Sequence, residues 1–161
     1  MIEIEKSFLV KEIPSDLGKY KSYQMQQGYI SSTRPSLRIR KKGDKFELTK
    51  KLRLDENDFS TCEEINIPLT EAEFKKLWPL TEKSLEKTRY IIPLSNNLNA
   101  ELDIFHRDLE GLAMVEVEFE SKEQMDKFMA PEWFGKDVTQ NEFSANAVLA
   151  GKTYLEVKDL L

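Results

Sequence analysis

The sequence predicts a mainly β fold of the α+β class, a closed eight-stranded antiparallel barrel with helices packed outside it. Two observations lead to this prediction. Polar and apolar residues alternate with a period of two over much of the chain, and only a few segments show helical spacing. Because successive side chains of a strand point to opposite faces, this alternation gives each predicted strand one apolar and one polar face.

The alternation is clearest near the end of the predicted sheet, where Glu116 and Glu118 share one face of a strand between apolar neighbours. A turn signal at Gly43 and Asp44 separates two other alternating segments and indicates a hairpin. The predicted strands are residues 2–8, 37–40, 46–51, 62–67, 87–91, 101–105 and 115–119.

Helical segments are fewer. Thr70 and Glu73 have the spacing of a capping box and open a run that ends at Pro79. Ser121 and Gln124 open a second run in the same way. Residues 140–150 and 16–27 are predicted as two further helices, and residues 153–161 as a short terminal element or a tail.

Bulk composition limits the class of protein. The 161 residues suit one domain, 1–161, and a net charge of −5 argues against a nucleic-acid partner held by general electrostatic attraction. No apolar run could span a bilayer, and the N-terminus lacks the layout of a signal peptide. A single cysteine, Cys62, excludes an intramolecular disulfide. We therefore expect a cytoplasmic protein with no nucleic-acid or membrane partner; the oligomeric state stays open.

The polar faces of the predicted strands carry like charges in pairs. One strand of this kind is explained by an ordinary half-buried sheet, but the pattern recurs in most of the predicted strands. Like charges two residues apart on one face lie roughly 6–7 Å from each other, which costs about 2–3 kcal/mol at an effective dielectric constant of about 20. The pairs are Glu3 with Glu5, Arg38 with Arg40, Lys87 with Arg89, Glu101 with Asp103, and Glu116 with Glu118.

A multiply charged ligand would explain these pairs. Converging arginines and lysines clamp phosphate oxygens, and converging carboxylates hold a hard divalent cation. A polyphosphate complexed with Mg²⁺ or Mn²⁺ carries both signs of charge. The sequence has no cluster of cysteines and histidines, which argues for these metals over a structural zinc ion.

At these residues the chain resembles the CYTH superfamily, the triphosphate tunnel metalloenzymes. Glu3 and Glu5 match the family's N-terminal Glu-x-Glu-x-Lys signature, and Arg38 and Arg40 match its Leu-Arg-x-Arg strand. Further matches are Lys51, Glu64, the Lys87–Arg89 and Glu101–Asp103 strands, and the late acidic strand with Glu116 and Glu118. The family includes inorganic and thiamine triphosphatases, class IV adenylyl cyclases and RNA 5′-triphosphatases.

The resemblance implies metal-dependent hydrolysis of a small triphosphate, with inorganic tripolyphosphate cleaved to pyrophosphate and phosphate favoured because the chain is compact. It implies that Glu5, Lys87 and Arg89 take part in catalysis. The implied metal ligands are Glu3, Glu5, Glu116 and Glu118, and the implied phosphate ligands are Arg38, Arg40, Lys51, Lys87 and Arg89. Glu64, Glu101 and Asp103 would support them.

Three departures keep other functions open. Ser7 occupies the position of the signature lysine, Cys62 that of one acid, and Phe143 begins a C-terminal segment without the family's basic side chains. A thiamine or nucleoside triphosphatase, or an adenylyl cyclase, is one alternative. A module that binds polyphosphate or another organophosphate without turnover is a second, and a scaffold with a merely polar interior is a third.

Overall fold

Eight antiparallel strands close into a barrel in the computed structural model, which describes all of residues 1–161. This confirms the fold class that the sequence predicts. Nine strands are present in all: β1 (Ile2–Val10), β2 (Lys21–Ser31), β3 (Ser36–Lys42), β4 (Lys45–Asp55), β5 (Asp58–Leu69), β6 (Lys83–Pro93), β7 (Asn99–Phe105), β8 (Ala113–Phe119) and β9 (Phe134–Asp137).

The order around the barrel is β1, β8, β7, β6, β2, β3, β4, β5 and back to β1. Strand β1 closes the ring by sharing one edge between two partners. Ile2 to Ile4 pair with β5, whereas Phe8 and Val10 pair with β9. The short strand β9 therefore pairs with the end of β1, beyond the residues that pair with β5.

Four short α-helices lie outside the strands: α1 (Glu71–Leu77), α2 (Lys122–Asp126), α3 (Asn146–Leu149) and α4 (Tyr154–Val157). The predicted capping box at the start of α1 is present, with Thr70 and Glu73 each bonded to the other's backbone. The Ser121 hydroxyl accepts a hydrogen bond from the Gln124 backbone at the start of α2, as expected. None of the helices is long and apolar enough to cross a membrane.

Two apolar clusters stabilise the barrel. The first lies on the outer face of β1, β7 and β8, where Phe8, Leu102 and Val117 pack beneath α2 and β9. The second joins side chains from several strands, among them Tyr29 and Phe105, to Leu149 of α3 and Val157 of α4. Residues 153–161 are thus a terminal element packed against the core, the first of the two possibilities that the sequence left open.

The predicted helix over residues 16–27 is wrong, because most of this segment belongs to β2. Gln24, Met25 and Gln26 favour helices intrinsically, but β2 is hydrogen-bonded on both edges, to β3 and to β6. Tertiary pairing overrides a local preference of this size. Only Leu17–Lys19 form a single 3₁₀ turn.

The predicted continuous helix over residues 140–150 is also wrong. The Asn141 side chain accepts a hydrogen bond from the Phe143 backbone, and the Ser144 hydroxyl donates to backbone carbonyls. Such bonds compete with helical ones. The segment forms a 3₁₀ turn at Glu142–Ser144, extends at Ala145, and then makes the single turn of α3.

Candidate active site

Opposite charges lie on different walls of the barrel interior. The neighbouring strands β1, β8 and β7 carry six carboxylates, which we call the acidic wall: Glu3, Glu5, Glu116, Glu118, Glu101 and Asp103. Strands β6, β3 and β4 carry the cations. Strand β2 lies between β6 and β3 and contributes neutral side chains such as Gln27 and Tyr29, which are both buried.

The period of two decides which β1 side chains face the interior of the barrel. Glu5 and Ser7 line the central cavity, whereas Lys6 lies on the opposite face and lines an outer groove with Lys136 and Asp137. The lysine next to the signature position therefore cannot replace the missing one. Ser7 is held through its backbone, whose N–H donates to Thr139 Oγ1 at 3.1 Å.

Three carboxylates of the acidic wall crowd together at one end of the barrel. Glu5 pairs directly with Glu118 across β1 and β8, and Glu3 lies two residues away on β1. Burial, followed by the charge of Glu64, raises the pKa of Glu3 to about 7, although Lys51 opposes the change. Burial and neighbouring acids also raise the pKa of Glu5 and of Glu118. Burial first, and the neighbouring acids second, therefore disfavour the charged form of these three carboxylates.

Arg89 joins the two walls. It donates two hydrogen bonds to Asp103, at 2.7 Å and 2.6 Å, and also binds Glu116 and Glu101. Lys87 binds the same Asp103 at 2.5 Å. Burial alone would raise the pKa of Glu116, but the charge of Arg89 lowers it to about 2. Part of the acidic wall is thus neutralised by the protein itself.

Lys51 lies among the carboxylates of Glu3, Glu5 and Glu64. Its Nζ atom is 3.2 Å from Glu5, 3.3 Å from Glu64 and 3.7 Å from Glu3. Glu64 in turn accepts two hydrogen bonds from Arg38, at 3.0 Å and 3.3 Å. Burial would raise the pKa of Glu64, but Arg38 and Lys51 together lower it. Glu64 therefore acts as the counter-ion that holds both cations at the cavity.

Arg40 is placed apart from this group. Its guanidinium binds Glu47 through two nitrogens, and it does not line the cavity. Of the two arginines that the sequence pairs on β3, only Arg38 faces the cavity.

A cavity of about 150 Å³ lies between the walls. Its lining includes Glu5, Arg38, Lys51 and Glu116 from the predicted site. The buried Nε of Arg38 has no hydrogen-bond partner. A buried donor without an acceptor is costly, so an anion that supplies an oxygen there would be favoured.

The sequence reasoning missed two cations of this cavity. Arg53 follows Lys51 by two residues on β4, and Arg34 lies between β2 and β3. Both line the cavity together with Phe59, and Nη1 of Arg53 is also buried without a partner. A period of two could have identified Arg53, because it follows Lys51 by two residues, as Arg40 follows Arg38. No periodic signal marks Arg34, because it lies in a loop.

The acidic end has the chemistry of a divalent metal site. Ligand atoms of Glu3, Glu64 and Cys62 lie within 4.8 Å of one another, and Glu5 and Glu118 face each other beside them. Burial raises the pKa of the Cys62 thiol to about 11, and the other ligand atoms at this end are carboxylate oxygens. Oxygen ligands suit Mg²⁺ and Mn²⁺. These residues therefore fit such a cation.

Comparison with known proteins gives near full-length relatives, although no protein-family model matches the sequence. The inorganic triphosphatase of Nitrosomonas europaea is 39% identical over 154 residues, which cover 93% of this chain and 97% of that protein. The inorganic triphosphatase of Acetivibrio thermocellus is 34% identical, with 98% of each chain covered.

Solved structures agree with the sequence relatives. The crystal structure of the inorganic triphosphatase NE1496 matches with a TM-score of 0.67 and 34% identity, covering 92% of this chain and 93% of that one. The PH1012 protein of Pyrococcus horikoshii matches with a TM-score of 0.59 at 21% identity, over 78% of this chain and 84% of that one. At that identity the second match supports the fold alone.

Proposed function

Because this chain belongs to the CYTH superfamily of triphosphate tunnel metalloenzymes, we propose that it hydrolyses inorganic tripolyphosphate to pyrophosphate and phosphate with the help of a divalent metal. One observation carries the proposal. The cavity lies between an acidic wall and a group of cations, and it is lined by Arg38, whose buried Nε donor has no partner in the protein. A metal-complexed polyphosphate would supply both the missing cation and the missing oxygen.

In the proposed mechanism the basic side chains hold the substrate. Arg38 and Lys51 lie at the cavity and bind phosphate oxygens, while Glu64 keeps both in place. Phosphoryl transfer depends mainly on positioning and on neutralising charge, so these contacts would lower the barrier without covalent catalysis. Lys87 and Arg89 are bound to acidic side chains, and we assign them to orienting the acidic wall and to phosphate contacts that form once substrate enters.

The acidic wall would hold the metal and the attacking water. Glu3, Glu5 and Glu118 are the proposed first ligands, and Glu116 is shared with Arg89. The metal would supply charge neutralisation for the phosphates. In the reaction, the water oxygen forms a bond to a terminal phosphorus, the bridging P–O bond breaks, and pyrophosphate leaves with the electron pair. We assign Glu5 as the acceptor of the water proton, since it lines the cavity.

The first experiment measures phosphate release from tripolyphosphate with Mg²⁺ or Mn²⁺, in parallel with ATP and thiamine triphosphate. Glu5→Gln and Arg38→Ala should each lower turnover by about 10²-fold or more. Lys127→Gln, an exposed lysine paired with Glu123 outside the barrel, is the matched control and should not change the rate. Absence of turnover in the native protein, with tripolyphosphate binding that Arg38→Ala removes, would instead favour a module that binds without hydrolysis.

A second experiment tests the metal site without activity. Mg²⁺ or Mn²⁺ binds only the folded protein in this proposal, so either ion should raise the free energy of unfolding as its concentration rises. Glu3→Gln and Glu118→Gln should weaken that dependence. Glu71→Gln, at an exposed helix position, should not change it. An equal metal response in all four proteins would contradict the assignment of these ligands.

A further inference from the structure

Two arginines lie at the part of the cavity formed by the β2–β3 connection and the β4–β5 hairpin. We call Arg34 and Arg53 the arginine pair. The guanidinium carbon of Arg53 lies 3.5 Å from the centre of the Phe59 ring, and that of Arg34 lies 5.2 Å from it. Both distances fall in the range of cation–π contacts. The ring therefore holds two like charges close together at the edge of the cavity.

The charge of the arginine pair is poorly compensated. Arg53 forms no ion pair, and its buried Nη1 donor has no partner. Arg34 has one ion pair, with Glu142 at 3.8 Å, and about half of each side chain is exposed there. Exposed pairs of this kind contribute little. Burial and then the charge of Arg34 lower the pKa of Arg53, in agreement with an unbalanced positive site.

The same contacts disfavour an organic group at this position. A nucleobase or a thiazolium ring could not stack on Phe59, because the guanidinium of Arg53 already covers that ring. A cationic ring would also meet two like charges. Two further side chains at this edge, Ser32 and Ser36, line the same cavity and add hydroxyl donors. The chemistry of the edge is therefore that of an anion site.

We propose that the arginine pair is a phosphate subsite that determines specificity: it holds the terminal phosphate of a linear inorganic triphosphate and disfavours triphosphates whose corresponding end carries a nucleoside or thiamine. This inference rests on the proposed function, which it deepens by assigning the substrate class to particular residues. Arg38 and Lys51 bind the reacting end of the triphosphate, and the arginine pair binds the phosphate at its other end.

The test compares specificity between variants. We expect Arg53→Gln to lower kcat/KM for tripolyphosphate by roughly tenfold or more, the size of one lost charge-assisted hydrogen bond. The value for ATP should change by no more than about threefold, because in this proposal the nucleoside on its α-phosphate keeps that phosphate out of the subsite. Arg34→Gln should act in the same direction. Arg107→Gln, an exposed arginine bound to Glu86 outside the cavity, is the control and should change neither value.

Two further measurements keep the proposal falsifiable. Thermal unfolding shows whether Arg53→Gln is folded, and the exposed Arg34→Gln replaces it if it is not. Calorimetric titration with tripolyphosphate and with pyrophosphate, without turnover, tests the subsite separately from the reaction. The affinity ratio of the two anions should fall in both variants.

The outcomes separate the two proposals. The proposed function would be refuted if the native protein hydrolysed no triphosphate. The subsite would still be supported if the native protein preferred tripolyphosphate to pyrophosphate and the variants lost that preference. Equal losses of kcat/KM for tripolyphosphate and ATP would overturn the subsite, as would unchanged values for both. The function would still stand in either case.

Discussion

Arg89 binds Asp103 through two parallel hydrogen bonds, with 2.7 Å between Nε and Oδ1 and 2.6 Å between Nη2 and Oδ2. The same carboxylate accepts a hydrogen bond from Lys87, and all three side chains are buried. Asp103 is therefore shared by two cations at the junction of β6 and β7, where Arg89 and Asp103 are direct partners in the sheet. This junction is where the acidic wall meets the cations of the barrel.

Asp103→Asn should be the most destabilising of the conservative substitutions inside the barrel. It removes the charge that both cations share, and breaking a buried ion pair by removing one partner costs about 3–5 kcal/mol. Urea denaturation measures the loss of unfolding free energy. Glu47→Gln is the matched control, because its partner Arg40 is only partly buried and a smaller loss is expected. Equal small losses in both variants would contradict the shared pairing described above.

The stability of the metal-free protein should fall as pH rises through about 7. The folded-state pKa of Glu3 is raised to about 7 by burial and by Glu64, whereas an unfolded glutamate titrates near 4.5. Between these two pKa values the folded protein therefore binds more protons than the unfolded protein. The resulting contribution to stability is fully present below about pH 4.5 and is lost as pH rises through the folded-state pKa. Glu5 and Glu118 act in the same direction. Glu116 has the opposite sign but changes stability only between about 2 and 4.5.

Urea denaturation in EDTA at several values between pH 5 and pH 8 measures this dependence. Glu3→Gln should flatten it, because the amide cannot titrate. Added Mg²⁺ should flatten it as well, since a bound cation removes the preference for the protonated form. A free energy of unfolding that rises from pH 5 to pH 8 in the metal-free protein would contradict the crowding of acids at this end.

The sequence predicted seven of the eight barrel strands because each of them carries alternating charges or alternating apolar residues. Strand β2 was missed because its interior face is neutral and no like-charge pair marks it. Its residues favour a helix locally, and hydrogen bonds to the adjacent strand β3 and to β6, which is distant in sequence, decide its conformation. Local patterns cannot record such long-range pairing.

The candidate site was predictable to a similar extent and for the same reason. Residues that continue a period of two, such as Glu5, Lys51 and Glu116, line the cavity. The division into two walls depends on the order of strands around the barrel, which no local pattern contains. Arg34 reaches the cavity from a loop, so only the fold reveals it.

Gly28 in β2 should not tolerate a side chain. A Cβ atom there would lie 2.6 Å from Cγ2 of Thr81 and 2.9 Å from the ring of Trp78. Gly28→Ala should therefore lower the free energy of unfolding by about 1–3 kcal/mol, the usual cost of overpacking. Gly18→Ala meets nothing within 4 Å and serves as the control. A stability equal to that of the native protein would mean that the Thr81 side chain moves aside freely.

Ser7→Lys tests whether the family's signature lysine is needed in this chain. Ser7 faces the cavity and is the sheet partner of Glu116, so a lysine there would place its amine among the acidic side chains. Lys51 already lies beside Glu5, and Glu116 is already bound by Arg89. The charge that a seventh-position lysine would supply is thus largely present, and we expect turnover of tripolyphosphate to change by less than about tenfold, or about 1.4 kcal/mol in the barrier.

Steady-state kinetics and calorimetric binding distinguish the possible outcomes for Ser7→Lys. Lys6→Ser, on the opposite face of β1, should leave both turnover and affinity unchanged, because Lys6 does not line the cavity. A turnover that rises by several hundredfold in Ser7→Lys, while the affinity for tripolyphosphate stays constant, would mean that binding is intact and the chemistry is deficient in the native chain. Serine at this position would then indicate a barrel that mainly binds polyphosphate and hydrolyses it poorly.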